Sequence, residues 1–250
     1  MNVLSLFSGI GGLDLGLERA GMTAVGQVEI DPWCRQVLAR HWPEVPKHDD
    51  ARSAVDWWRS ADRPAVDVIA GGPPCQPFSN AGFKRGVSDE RWMWPAMAGA
   101  IRELRPRYVV VENVAALVRD RVAFGWILSD LAGLGFDAEW SLLSACSVGA
   151  PHVRKRLFLV AHAHRLDGQT GMGDGEGLGL AGPERRPRTG SGVGGEARAW
   201  RDRVDWAVET SCVDGRELDG TAPRMVAAGG NAVVPQVAEH VGRLIMAAAA

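Results

Sequence analysis

A cysteine framed by prolines is the first feature of this chain with chemical potential. The apolar run Val66-Asp67-Val68-Ile69-Ala70 ends in Gly71-Gly72, and Pro73, Pro74 and Pro77 then surround Cys75. Proline fixes φ and offers no N–H, so such a loop has few conformations to lose on folding. A thiol held rigidly just past a strand suits a nucleophile. The competing reading is a buried structural cysteine, the commoner fate of an isolated Cys.

A thiolate attacks best when its target is made electron-poor by acid assistance. Glu112 closes the β-branched run Tyr108-Val109-Val110-Val111 and would face the same crevice if its strand neighbours that of Cys75. Where water is excluded, a carboxyl stays protonated and can donate to a ring nitrogen. Arg154 and Arg156 lie two apart on an expected strand, so both face one way and Lys155 the other. Their permanent charge suits a phosphate or a carbonyl oxygen, the alternative being a basic strand end at the surface. After the first apolar run come Gly9, Gly11 and Gly12, which let backbone approach a ligand closely. Glu29 follows about 20 residues on, the spacing of a carboxylate that accepts from a ribose diol. Neither a clean dinucleotide spacing nor a phosphate-loop lysine is present. The pair therefore points to an adenosine-containing cofactor without need of a pyrophosphate, or else to a tight turn with a helix-capping acid.

The elements that must hold these groups alternate. Strands are expected at Val3–Phe7, Ala24–Val28, Val66–Ala70, Tyr108–Glu112, Trp140–Ala145 and Arg156–Ala161. Helices are expected over Leu13–Ala20 (closed by Gly21), Pro32–His41, Glu90–Leu104, Val122–Leu134 and from Pro235 through Val237, Val241, Leu244 and Ile245. This is an α/β fold, a doubly wound, mostly parallel sheet with helices on both faces. The alternation stops near His164. Between Gly168 and Gly195 stand 11 of the 31 glycines, and a loop-rich segment is expected there, with one short helix near Trp200, Val204 and Ala207. Net charge is −2, but residues 154–203 carry ten Lys and Arg against six Asp and Glu, a local patch fit for a polyanion or simply a solvated loop. With 46% hydrophobic and 23% charged residues the composition is that of an ordinary globular protein, and no apolar run reaches a membrane span. The four cysteines lack metal-ligand spacing, and the start of the chain lacks a secretory pattern. Free thiols, no metal, no membrane and a cytoplasmic location are expected.

Five motifs in order carry a resemblance. Phe7-Ser8-Gly9-Ile10-Gly11-Gly12 with Glu29, Gly72-Pro73-Pro74-Cys75-Gln76-Pro77-Phe78-Ser79, Glu112-Asn113-Val114, Gly149-Ala150-Pro151-His152-Val153-Arg154-Lys155-Arg156 and Gly230-Asn231-Ala232-Val233-Val234-Pro235 together resemble the cytosine-5 DNA methyltransferases of bacteria and phages. The resemblance implies a Rossmann-like catalytic domain over 1–164 and 223–250, with a reduced, irregular target-recognition segment over 165–222. It implies S-adenosylmethionine as cofactor and double-stranded DNA as partner, handled by a monomer in a bacterial or phage-infected cell, with restriction-modification partner, orphan methylase and phage self-protection enzyme alike in these residues. Phe7 would stack on the adenine, Gly9 and Gly11 admit the methionine part, and Glu29 bind the ribose. Asp50 would bind the adenine amine, with Asp49 the competing assignment. Trp94 would be an apolar cofactor contact, and Asn231 with its neighbours would complete the cofactor wall. Cys75 would attack C6 of a flipped cytosine, Glu112 serve N3, Arg156 hold the base carbonyl or its phosphate, and Arg154 support it. Ser79–Arg91 would form a mobile lid. His152 stands where the family usually has Gln. An RNA methyltransferase of the same family, or a binding module without turnover, are the other readings.

Overall fold

The computed structural model describes residues 1–74, 92–150, 154–163 and 232–250. Cys75, the expected lid, His152, the expected recognition segment with its short helix, and Asn231 lie outside the described residues. Within them the order is β1 (Asn2–Leu6), α1 (Gly12–Arg19), β2 (Thr23–Val28), α2 (Pro32–His41), β3 (Lys47–His48), α3 (Ala54–Arg59), β4 (Val68–Gly71), α4 (Trp94–Leu104), β5 (Tyr108–Val114), α5 (Arg121–Gly133), β6 (Phe136–Ser144), β7 (Lys155–Ala163) and α6 (Pro235–Ala249). The strands form one sheet ordered β3-β2-β1-β4-β5-β7-β6. β3 through β5 pair in parallel, and β7 runs antiparallel to both β5 and β6. The doubly wound reading of the sequence is therefore the fold, with one reversed strand inserted near an edge.

Both faces of the sheet are covered, which is why the central strands are continuously apolar. Alternation sends Leu4, Leu6, Ile69, Val109, Val111, Leu157 and Leu159 into one cluster with α3, α4 and α5. Val3, Val68, Ala70, Tyr108, Val110, Phe158 and Val160 enter the other, with α1 and α6. Local chemistry sets the helix ends. Asp31 caps α2 by accepting from Trp33 N–H and Cys34 N–H, with Pro32 in the first turn. α1 closes on Gly21 at φ +94, where Gly21 N–H donates to Glu18 and Met22 N–H to Leu17, the paired bonds of a glycine stop.

Three differences from the sequence reading have physical causes. α4 starts at Trp94, because Met93 is a non-helical cap and Pro95 belongs to the first turn. β6 begins at Phe136, earlier than expected, since its ladder with β7 runs from Phe136 opposite Ala163 to Ser144 opposite Lys155. β3 and α3 were not expected. β3 is two polar residues whose strand character comes from pairing with Gln27 and Val28, and periodicity cannot reveal it. Among the described residues no helix is long and apolar enough to cross a membrane.

α6 closes the fold by packing on α1 with almost no side chain between them. A Cβ on Gly16 would lie 2.3 Å from the Pro235 carbonyl oxygen and 2.4 Å from Ala238 Cβ, and one on Gly12 would lie 2.3 Å from the Val233 carbonyl oxygen. Helix propensity favours Ala over Gly by only about 1 kcal/mol, less than the cost of forcing packed backbone apart. We expect Gly16→Ala to lower the unfolding free energy by about 1–3 kcal/mol in urea titration. Gly99→Ala on α4, where nothing lies within 4 Å of the new Cβ, should leave stability equal or raise it.

Candidate active site

The order β3-β2-β1-β4-β5 reverses direction between β1 and β4, and in such sheets ligands sit beyond the carboxyl ends at that point. The turn after β1 opens there. Gly9 (φ +57) and Gly11 (φ +89) adopt backbone that only glycine takes without strain. Among the described residues nothing lies within 4 Å of a Cβ on Gly9, which leaves its outer face open to them, whereas a Cβ on Gly11 would strike the Trp42 ring at 2.4 Å. Phe7 also has a left-handed φ of +57, a strain worth about 1–3 kcal/mol that persists only where neighbours enforce it. Several bonds do so. Ser8 N–H donates to Val28, Gly11 N–H to Ser8, and Gly9 N–H to Glu29 Oε2 at 2.7 Å. Glu29 Oε1 accepts from Asp31 N–H at 2.8 Å, so this one carboxylate joins the turns after β1 and β2. Beneath lies a buried chain. Ser8 Oγ meets Ser5 Oγ at 2.9 Å, Ser5 Oγ donates to Asp14 Oδ2 at 3.0 Å, and Gln27 Nε2 donates to Asp14 Oδ1 at 2.9 Å. Burial raises Asp14 to a pKa of about 6 despite those hydrogen bonds. The sequence reading missed Asp14. A carboxylate on the inner face of an amphipathic helix was the available signal.

The second half of the site gathers on β4, β5 and β7. Glu112 pairs in register with Phe158 and Val114 with Arg156, so Glu112 and Arg156 are diagonal neighbours on one face. Arg156 Nε lies 3.3 Å from Glu112 Oε1. A Cβ on Gly72 would come within 3.1 Å of Glu112 Oε2, which places this carboxyl against the backbone three residues before Cys75. Burial pushes Glu112 up to a pKa of about 7, and Arg156 and Arg154 only partly offset it. Desolvation outweighs the ion pair here, so the group carries its proton for much of the time near neutrality. Arg154 has Nε and Nη2 buried without a hydrogen-bond partner among the described residues, and its pKa is pulled down by burial and then by Arg156. Asn113 is a further addition. Its amide donates to the Pro73 carbonyl at 2.9 Å and its Oδ1 accepts from Val114 N–H, which ties down the backbone leading to Cys75.

The remaining expected site residues are spread around this crevice. Asp50 caps the turn before α3, accepts from Arg52 N–H at 2.9 Å and pairs with the Arg52 guanidinium at 3.3 Å. Asp49 is exposed beside His48. Trp94 is fully buried in the cluster that Phe7 borders, and its indole N–H donates to Asp130 on α5 at 2.7 Å. Ile30, not singled out in the sequence, exposes 69% of its surface next to Glu29.

A family model described as C-5 cytosine-specific DNA methylase matches residues 1–175. The chain belongs to that family. Among curated relatives of this methylase family, the type II methylase M.HgiEI of Herpetosiphon aurantiacus is 34% identical over 167 residues, which cover 66% of this chain and 38% of that protein. The type II methyltransferase M.NgoMIV of Neisseria gonorrhoeae is 34% identical over 160 residues, covering 63% and 50%. A solved DNA modification methyltransferase from an Escherichia coli prophage superposes with a TM-score of 0.56 at 28% identity, over 65% of this chain and 47% of that one. A DNMT2 mutant from Spodoptera frugiperda gives 0.55 at 25%, over 66% and 51%. The chain thus spans between about two fifths and half the length of the curated relatives it matches.

The family's methyl donor fits the first half of the site. The open face of Gly9, the Glu29 carboxylate, the half-buried Phe7 ring and the exposed Ile30 offer close backbone, a diol acceptor and apolar surfaces, the donor set an adenosyl group needs.

Glu112 binds its proton more tightly folded than unfolded, so its contribution to stability falls as pH rises from about 4.5 to about 7. Replacing it with Gln removes that loss, while Asp14 titrates alike in both proteins. We expect Glu112→Gln to gain on the parent protein by up to about 3 kcal/mol across that window, in urea melts at stepped pH.

Proposed function

We propose that this protein is a DNA cytosine-5 methyltransferase that acts through a covalent bond between Cys75 and C6 of a flipped cytosine. The observation that carries the reading is Glu112: a carboxyl with a pKa near 7, buried against Gly72 at the approach to Cys75, with Arg156 beside it. Residues 1–164 and 223–250 form the catalytic domain in this reading, and 165–222 choose the target. Phe7, Gly9, Gly11, Glu29, Asp50, Trp94 and Asn231 would hold S-adenosylmethionine, which supplies a methyl group when bound.

The chain's own groups account for activation of the base. The Cys75 thiolate forms a bond to C6, the C5–C6 π electrons shift to C4–C5, and the C4–N3 π electrons take up the Glu112 proton at N3. C5 is then nucleophilic and accepts the methyl group. Loss of the C5 proton to a base re-forms the C5–C6 double bond and expels the Cys75 thiolate, and N3 returns its proton to the Glu112 carboxylate. Arg156 pairs with the carbonyl oxygen or the adjoining phosphate, and the unpartnered Nε and Nη2 of Arg154 supply a buried cationic surface for that anion. Extrusion of the base costs a few kcal/mol, to be met by contacts with the DNA backbone.

An RNA cytosine is the second reading, because nothing in Cys75, Glu112 or the arginines depends on the sugar. A binding module without turnover would need neither the thiol nor the acid. Transfer of tritium from labelled S-adenosylmethionine to duplex DNA, with transfer RNA in parallel, separates the substrates; label in RNA alone would replace the DNA reading. Duplex DNA with 5-fluorocytosine should trap the protein as an adduct stable to denaturant. We expect Cys75→Ala to abolish both transfer and adduct while cofactor affinity stays within about twofold, since the thiol touches the base and not the donor.

A further inference from the structure

We infer that Asp14 is a positioning residue for cofactor binding, acting through the buried chain Ser8–Ser5–Asp14–Gln27 to hold Phe7 and the glycine turn in their binding conformation. The inference rests on the reading of that turn as the cofactor site. Its carriers are geometric. Phe7 holds a left-handed backbone that a bulky side chain leaves unless it is held. The next residue, Ser8, is fastened through its N–H to Val28 and through its hydroxyl to Ser5. Ser5, Asp14 and Gln27 are each 1% exposed or less, so no water replaces a lost link. Asp14 is the one member that accepts from two different strands, from Ser5 on β1 and Gln27 on β2, while itself standing on α1. It thereby ties together the three elements from which the turn emerges. Without that acceptor, the Ser5 hydroxyl loses the partner that orients it toward Ser8, the Ser8 hydroxyl is left to its longer contacts with the Ser5 and Val28 carbonyls, and Phe7 is held less firmly for the adenine.

The chemistry of the chain also says which substitution should be tolerated. Asn at position 14 can still accept from Gln27 through Oδ1. Its amide then donates to Ser5, which turns its hydroxyl toward Ser8, and Ser8 donates to the Ser5 or Val28 carbonyl, each already within 3.4 Å. The chain runs in reverse but stays connected. Ala at the same position cuts it.

The test is isothermal titration of the full-length protein with S-adenosylmethionine and with S-adenosylhomocysteine. Circular dichroism and thermal melts check that each variant is folded. We expect Asp14→Ala to weaken both ligands about tenfold and Asp14→Asn to stay within about threefold of the parent. A double-mutant cycle with Phe7→Ala supplies a readout that general destabilisation would not move. If Asp14 acts through the ring, the two losses are strongly less than additive. Should Asp14→Ala not fold, Ser8→Ala, which removes only the turn end of the chain, carries the same test with an expected loss of about fivefold. Unchanged affinity in the folded chain-cutting variant, full additivity with Phe7→Ala, or a loss in Asp14→Asn equal to that in Asp14→Ala would each overturn the inference. A parent protein that binds neither ligand would overturn the cofactor reading, and this inference with it.

Discussion

The pairing of β1 with β4 is the constraint on which the rest of the site depends. Leu6 stands opposite Gly71, and the strands meet so closely there that a Cβ on Gly71 would lie 2.5 Å from the Leu6 carbonyl oxygen. From this junction the chain leaves in opposite directions across the sheet: β1 leads outward to β2 and β3, and β4 leads to β5. The turns that follow the two strands part company and leave a crevice between them. The glycine turn with Phe7 lines one side, and Gly72-Pro73-Pro74 with Glu112 behind it lines the other.

Burial acts on the carboxyl groups around that crevice according to depth. Asp14 and Glu112 are both held above the ordinary carboxylate range because desolvation exceeds what their partners return. The consequences differ with the surroundings. Asp14 is enclosed by hydrogen-bond donors and acts as a fastening, whereas Glu112 is buried against Gly72 and beside the Arg156 guanidinium. Glu29, nearer the surface, spends both oxygens on backbone N–H groups of neighbouring turns. The same functional group thus stands as a buried clamp, as an acid held near neutrality and as a surface tie.

The far end of the chain takes part in this arrangement through contact rather than through chemistry. α6 rests on Gly12 and Gly16 of α1, and Gly12 directly follows the turn that carries Gly9 and Gly11. The glycine turn is therefore coupled to the start of α6 by close backbone contact at Gly12 and Gly16, beside the packed side chains of Leu13, Leu17, Val237 and Val241. This gives a physical reason for the Val233-Val234-Pro235 entry to the helix to stand so close to the first motif in space, although more than 200 residues separate them in the chain.

Much of this architecture was legible from residue types alone. Short apolar runs marked six of the seven described strands, and Gly21, Pro32 and Pro235 marked helix limits, because those features follow from local residue types. The short, locally coded motifs around Phe7, Glu29, Cys75 and Glu112 carried the family for the same reason. β3 was not legible, since its two polar residues become a strand only by pairing with β2. Nor was Asp14, whose role depends on partners from two other elements. The amino-acid sequence by itself determined the alternating fold, its family and the types of reactive group, all properties of neighbouring residues. Only the tertiary structure decided that Glu112 would be buried beside Arg156 and Gly72, that its proton would be held near neutrality, and that Phe7 would be kept in a strained backbone. Those outcomes turn on desolvation and on contacts between distant elements, quantities that no local run of residues contains.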